Sequence, residues 1–272
     1  MQMVDFEYDG ERLSDYGLTI CWDGSGSDEV QDLGNSITIN KVKSSNSHEY
    51  ISTGASYEDV FKTEFQVIKD GCSVVDEIIT DIELNRIMRW LNRKKYCIFR
   101  PIYGDDNFMD IYYKGTFNVK AIKIGENVVG LHFTFTTNAP YGFMEPTTYV
   151  CEFKNTSDRL IINDISDEIG YIYADVEIKL LQSGNLKITN TLDPDNTVII
   201  NNCVSGEIIK LQGKQKIITS SLASHLRLCN DFNYNFIRIN NTYRDVMNVF
   251  NASLKCVLTI RYSPIRKVGL IL

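Results

Sequence analysis

The chain has 272 residues, room for one large or two medium domains, and its 43% hydrophobic and 23% charged residues are the balance of a globular protein rather than a disordered or fibrous one. Its 28 Lys and Arg against 35 Asp and Glu give a formal charge of −7, opposite to the basic footprint of a phosphate binder, so specific nucleic-acid binding is disfavoured. The start, Met1-Gln2-Met3-Val4-Asp5-Phe6, has no basic region followed by an apolar one. No run approaches the roughly 18 apolar residues of a spanning helix, so the expectation is a chain made in the cytoplasm and not inserted in a membrane.

In chain order, Asp23-Gly24-Ser25-Gly26-Ser27-Asp28-Glu29 reads as an exposed loop, and Ser44 to Tyr57 is polar and weakly periodic. Phe61, Thr63, Phe65 and Val67 then alternate with Lys62, Glu64 and Gln66, the period of a half-buried strand, before an Asp70-Gly71 turn. Thr80-Asp81-Ile82-Glu83 has the spacing of a capping box, and Leu84, Ile87, Met88 and Leu91 follow at helical intervals. Arg93-Lys94-Lys95 adds positive charge where a helix end favours it, which predicts one amphipathic helix near 80–94. Leu131, Phe133 and Phe135 alternate with His132, Thr134 and Thr136. Val176, Ile178 and Leu180 do the same before a Ser183-Gly184-Asn185 turn, as do Leu254, Cys256, Leu258 and Ile260 near the end. Two of the five prolines, Pro140 and Pro146, fall just after a strand and mark a boundary between two largely antiparallel β domains.

Little in the chain carries chemistry. His48, His132 and His225 have no His or Cys at ligand spacing, so they read as solvated or singly hydrogen-bonded. No G-x-S-x-G elbow is present, and Gly24-Ser25-Gly26-Ser27 lacks the Lys-Ser/Thr ending of a phosphate loop. The acidic clusters Asp164, Asp167, Glu168 and Asp193-Pro194-Asp195-Asn196 could supply a carboxylate pair for glycan hydrolysis, but they read better as a solvated loop and a turn. Tyr171, Tyr173, Phe232, Tyr234, Phe236 and Tyr243 could stack sugars, although aromatics at period two are more often cross-strand packing pairs. Cys21, Cys72, Cys97, Cys151, Cys203, Cys229 and Cys256 are widely spaced and odd in number, as expected of reduced, mostly buried thiols. No catalytic, cofactor-binding or metal-binding residue is assigned, and no cofactor is expected.

Several patches together resemble one family. Phe6-Glu7-Tyr8-Asp9-Gly10-Glu11-Arg12-Leu13-Ser14-Asp15-Tyr16-Gly17-Leu18 is similar to a first hairpin followed by a Ser-Asp-Tyr-Gly-Leu step. The strand Phe61 to Lys69 is followed by a helix containing Arg89-Trp90-Leu91, and Phe135-Thr136-Thr137-Asn138-Ala139-Pro140-Tyr141-Gly142 is similar to a segment closing an N-terminal domain. Asp231 to Ile239 and Ile260 to Gly269 resemble last strands. In order and spacing these patches resemble the distal tail proteins of siphophages and prophages of Gram-positive bacteria.

The resemblance implies a mainly β chain with two β-sandwich domains. Residues 1–142 would be a ring-forming domain with the single helix, and 143–272 a galectin-like domain. It also implies a non-enzymatic virion protein at the tail tip: a homo-hexamer ring joining the tail tube and tape measure end to a tail-associated lysin or fibre, and to any receptor-binding proteins, around a channel for DNA. Ser44 to Tyr57 is the candidate arm toward a neighbour. The alternative is a carbohydrate-binding module for host cell-wall glycan.

Overall fold

The computed structural model describes residues 3–21, 36–46, 48–69, 78–104, 110–223, 225, 227–243 and 246–267. The chain is mainly β and divides into two units, Met1–Met144 with Arg266–Leu272, and Glu145–Ile265. The loop at Gly24 and the turn at Asp70-Gly71 lie outside the described residues, as does Cys72.

The first unit holds β1 (Met3–Tyr8), β2 (Glu11–Arg12), β3 (Leu18–Cys21), β4 (Ile37–Val42), β5 (Ile51–Tyr57), β6 (Lys62–Lys69), α1 (Asp81–Leu91), β7 (Cys97–Tyr103), β8 (Ile111–Ile124), β9 (Asn127–Thr137) and β10 (Gly142–Met144). Its main sheet runs β2-β1-β7-β8-β9-β6-β3 with antiparallel pairing. In a flat sheet β1 and β6, four positions apart, would be separated by about 19 Å. The Phe6 and Phe65 rings are instead 5.7 Å apart, and Phe6 also meets Phe133 at 6.3 Å. The sheet therefore folds over itself as two layers, with the apolar alternation of β6 and β9 turned inward. Gly115 permits this closure, because a Cβ there would strike the Phe135 ring and the Thr136 carbonyl.

The helix seals one side of that core. Thr80 Oγ1 accepts from Glu83 N at 3.3 Å while Glu83 Oε2 accepts from Thr80 N at 2.8 Å, the reciprocal capping pair read in the sequence. Lys69 Nζ lies 2.7 Å from Glu83 Oε1 and, with the Thr80 backbone, holds the Glu83 carboxyl down to about 2. Thr80→Ala should cost about 1 kcal/mol, read as a shifted denaturant midpoint with unchanged slope; an unchanged midpoint would remove the cap from the account.

The buried face of α1 carries Ile87, Trp90 and Leu91, and the helix stops at Leu91 rather than near 94. Arg93 and Lys95 lie beyond it and turn to the first hairpin instead: Arg93 Nε is 3.1 Å from Asp9 Oδ2, and Lys95 Nζ is 3.7 Å from Asp9 Oδ1. Trp90 ties helix to sheet. Its indole N–H donates to Tyr8 O at 2.7 Å, and its ring stacks between Phe6 at 5.6 Å and Tyr16 at 4.4 Å, within 10° of parallel to each.

The second unit holds β11 (Thr147–Phe153), β12 (Leu160–Asn163), β13 (Tyr171–Tyr173), β14 (Asp175–Leu180), β15 (Gly184–Asn190), β16 (Asp193–Cys203), β17 (Ile208–Gln212), β18 (Ile217–Ser220), α2 (Leu228–Asp231), β19 (Arg238–Asn240), β20 (Met247–Ala252) and β21 (Cys256–Tyr262). One sheet runs β11-β21-β14-β17-β18 and a second β12-β20-β15-β16. Val176, Ile178 and Leu180 point inward from the first while Glu177 and Lys179 are exposed, and Leu186, Ile188, Val198 and Ile200 are buried from the second.

A short ladder, β13 with β19, stands beside them. Buried asparagines anchor it: Asn190 Nδ2 donates to Asn248 Oδ1 at 2.7 Å, Asn240 N donates to the same oxygen at 2.8 Å, and Asn248 Nδ2 donates to Asn240 O at 3.0 Å. Buried amides satisfied in this way fix one register for β19, and with it the position of Arg238.

Candidate functional site

Two surfaces stand out, one in each unit. In the first unit, β4 and β5 form a two-stranded ribbon outside the main sheet, with every residue of β4 exposed. The register Ile37↔Tyr57, Ile39↔Ala55 and Val42↔Ile51 puts apolar residues opposite one another, while Thr38↔Ser56 and Lys41↔Ser52 pair polar ones. The shift skips Thr53 on β5 and leaves β4 regular, so Ile37 and Ile39 lie on one face and Val42 with Ile51 on the other; both faces carry exposed apolar residues, Ile39 at 57% and Ile51 at 60%. Its outer end carries Tyr50 beneath the amines of Lys41 and Lys43, at 5.0 and 5.5 Å from the ring centre. Its base is tied down by Thr38 Oγ1 donating to Glu58 Oε1 at 2.6 Å and by Tyr57 set edge-on to Tyr141 at 6.1 Å. A two-stranded hairpin that leaves its apolar residues exposed is marginal alone, so this geometry fits a segment completed by a partner.

The candidate arm Ser44 to Tyr57 covers β5 of this ribbon and leaves out its first strand, β4. The signal was present in the alternation of Ile37-Thr38-Ile39-Asn40, but Lys41 stands at the next position of the apolar set and cuts the pattern short.

In the second unit a row of rings and cations crosses the β13–β19 ladder. Tyr173 faces Arg238 in register, so the two side chains share a face. Arg238 forks onto Asp193, with Nε to Oδ2 at 2.6 Å and Nη2 to Oδ1 at 3.1 Å, and its guanidinium lies 3.7 Å from the Tyr171 ring centre. The Asp193 bonds raise the Arg238 pKa still further. Lys216 Nζ sits 2.8 Å from the Tyr173 ring centre and 4.9 Å from that of Phe236. Burial opposes ionisation of Tyr173, but its hydrogen bond with Arg238 and the Lys216 charge outweigh this and leave the phenol below its usual range. Phe236 meets Phe232 at 5.2 Å, and Phe232 meets exposed Tyr234 at 5.4 Å.

Of the aromatics singled out in the sequence, the structure joins Tyr171, Tyr173, Phe232, Tyr234 and Phe236 into this row. Tyr243 is exposed. Lys216 and Arg238 gave no sequence signal, since they are far in sequence from the rings they cover.

The titratable candidates meet different fates. His48 is exposed, and His132 Nε2 lies 3.3 Å from Glu64 Oε2 across adjacent strands. His225 corrects the expectation of a solvated or singly bonded ring: its side chain is 4% exposed, with Nδ1 2.7 Å from Glu207 Oε1 and Nε2 3.3 Å from Asp231 Oδ2. Asp193 is likewise no solvated turn residue, being buried and paired with Arg238. Asp164 Oδ1 accepts from Ser166 Oγ at 2.8 Å and Tyr262 Oη at 3.0 Å. Burial, then Asp164, pushes the Tyr262 phenol up. The six described cysteines are free; Cys97, Cys203 and Cys256 are buried, while Cys229 is exposed. Among the described residues no group of three or more His, Cys, Asp or Glu could hold a metal ion, and no helix is long and apolar enough to cross a membrane.

Comparison with known proteins adds to this geometry. No curated protein matches the chain in sequence. In structure it is similar to the crystallised Dit protein (gp 19.1) of phage SPP1, described as a paradigm of the hub adsorption apparatus in phages infecting Gram-positive bacteria. The TM-score is 0.63 at 12% identity, over 96% of this chain and 99% of that one. The two chains thus share a fold along nearly their whole lengths. A family model described as the phage tail protein N-terminal domain matches residues 1–139, and one described as the phage tail C-terminal domain matches residues 141–262. The chain belongs to this family of phage tail proteins.

Proposed function

We propose that the protein is a structural hub at the distal end of a phage tail, six copies of which close into a ring. Residues 1–142 form the ring, and residues 143–272 are a galectin-like module. The ring joins the tail tube and the tape measure end to a tail-associated lysin or fibre and to any receptor-binding proteins, leaving a channel for DNA. It performs no catalysis. The end-to-end fold similarity to a Dit protein supports the hub reading.

The observation that carries the assembly is the β4–β5 ribbon. A cyclic ring is built from heterologous contacts, one patch meeting a different patch on the next copy. A ribbon with exposed apolar residues on both faces supplies one such patch, and a second copy of the chain covers it. The formal charge of −7 per copy favours passage of DNA without adsorption, since phosphates are repelled by a lumen of the same sign.

Light scattering of the purified chain, with negative-stain images, tests this directly. The expected species has six times the 31.1 kDa of one chain and a central hole. Ile39→Lys with Ile51→Lys should reduce it to single chains with an unchanged melting curve, because neither residue contributes to the core. Rings that persist in the double variant would remove the ribbon from the interface. A wild-type chain that stays single at every concentration, even with tube protein added, would overturn the hub reading.

A further inference from the structure

The row of rings and cations in the second unit is built more firmly than packing requires. The Phe232–Phe236 segment is fixed to β16 by its own amides: Asn233 Nδ2 and Asn235 Nδ2 donate to Thr197 O at 2.8 and 2.9 Å, and Asn196 Nδ2 donates to Phe236 O at 2.8 Å. Gly213 lets the turn bearing Lys216 lie against Ala174, where any Cβ would collide with the Ala174 carbonyl. Lys216 itself holds a left-handed backbone, φ 59°, and so does Tyr234, φ 60°. Non-glycine residues occupy that region at a cost, and such outliers concentrate where a side chain must be aimed.

The charges are equally specific. Asp193 is committed to the Arg238 fork. Lys216 makes no ion pair with a carboxylate among the described residues; its amine rests on Tyr173 and Phe236. A chain of formal charge −7 thus presents a local positive charge here, with a phenol hydroxyl beside it and exposed rings at both ends of the row, Tyr171 and Tyr234. Cations offered next to aromatic faces suit a ligand that is anionic at one point and carries C–H surface around it.

We propose that Lys216, Tyr173 and Arg238, flanked by Tyr171 and Tyr234, form a binding site for a saccharide bearing an oxyanion. The Lys216 amine and the Tyr173 hydroxyl take the anionic group, Arg238 in its fixed position on Asp193 orients the Tyr173 hydroxyl, and the exposed tyrosine rings receive the sugar's apolar face. This site goes beyond the hub reading and does not depend on ring formation, since every residue named lies within the second unit of one chain.

Calorimetric titration of the full-length chain with glucuronic acid, glucose 6-phosphate, glucose and inorganic phosphate tests it. Saturable binding of at least one charged sugar is expected, at least tenfold tighter than glucose or inorganic phosphate and weakening as salt is raised; which charged sugar wins distinguishes a carboxylate from a phosphate source. Lys216→Met keeps the aliphatic stem over the rings and should weaken binding at least tenfold with an unchanged melting temperature. Tyr171→Ala should weaken charged-sugar binding and leave the weak interaction with inorganic phosphate unmoved. No saturable binding of either charged sugar would overturn the proposal, as would a folded Lys216→Met variant that binds like the wild type. Inorganic phosphate binding as tightly as the sugars would overturn the saccharide assignment.

Discussion

Trp90→Ala is expected to cost the first unit about 3–5 kcal/mol, the range for deleting a fully buried aromatic side chain. The side chain is stacked on both faces by Phe6 and Tyr16, so its loss opens a cavity between helix and sheet that neither ring can fill without leaving its strand or turn. The deletion also removes the indole N–H that Tyr8 O accepts, one hydrogen bond between helix and sheet. Against a typical domain stability of about 5–15 kcal/mol, the effect is large, a fall in melting temperature of roughly 6–20 °C. Trp90→Phe should lose less, because it retains most of the stacking and forfeits only the N–H bond. Calorimetry of the two variants checks this; equal losses would mean that stacking contributes nothing beyond the hydrogen bond.

The second large effect belongs to Glu207, whose side chain is wholly buried. Its carboxylate accepts from Ser220 Oγ at 2.5 Å and Val204 N at 3.0 Å, and faces His225 Nδ1. Glu207→Ala leaves that ring, the hydroxyl and the amide without their shared partner, and should cost about 3 kcal/mol or more, since each buried group left unsatisfied costs about 1–3 kcal/mol. A pH dependence follows with a definite sign. Burial disfavours the charge, but the bonds from Ser220 and Val204 and the neighbouring His225 outweigh it, and the carboxyl titrates below the ordinary value of 4.5. Because the folded form binds its proton more weakly than the unfolded form, this contribution is present above about pH 4.5 and is lost as pH falls through the depressed folded value. Melting of the second unit should therefore fall more steeply with acid in the wild type than in Glu207→Gln, which starts lower at neutral pH. Parallel pH profiles would refute the assignment.

Elements whose side chains alternate between a core and water were legible in the sequence. β6, β9, β14 and β21 each carried a period of two, and α1 carried a capping pair three residues apart, a local signal that its own backbone satisfies. The helix end was misjudged because Arg93 and Lys95 suit a helix terminus as well as they suit Asp9, and only the fold decides between them. Contacts made at long range were invisible: Asp193 meets Arg238 across 45 positions, and Glu207 meets His225 across 18. The cation–aromatic row was half legible for the same reason: its rings fall in two short stretches, 171–173 and 232–236, but nothing local shows that Arg238 covers Tyr171 or that Lys216 lies over Tyr173 and Phe236. The ribbon was half legible because Lys41 ends the apolar alternation of its first strand after Ile37 and Ile39.

The seating of Trp90 has a spectroscopic consequence. Both tryptophans of the chain, Trp22 and Trp90, precede residue 145, so the second unit is silent in indole emission. Trp90, dry and packed between two rings, should emit toward the blue and shift red only when the first unit opens. Intrinsic fluorescence thus follows one unit of a two-unit chain without any label. Ligand binding at Tyr171 and Tyr173 would instead register in the tyrosine signal.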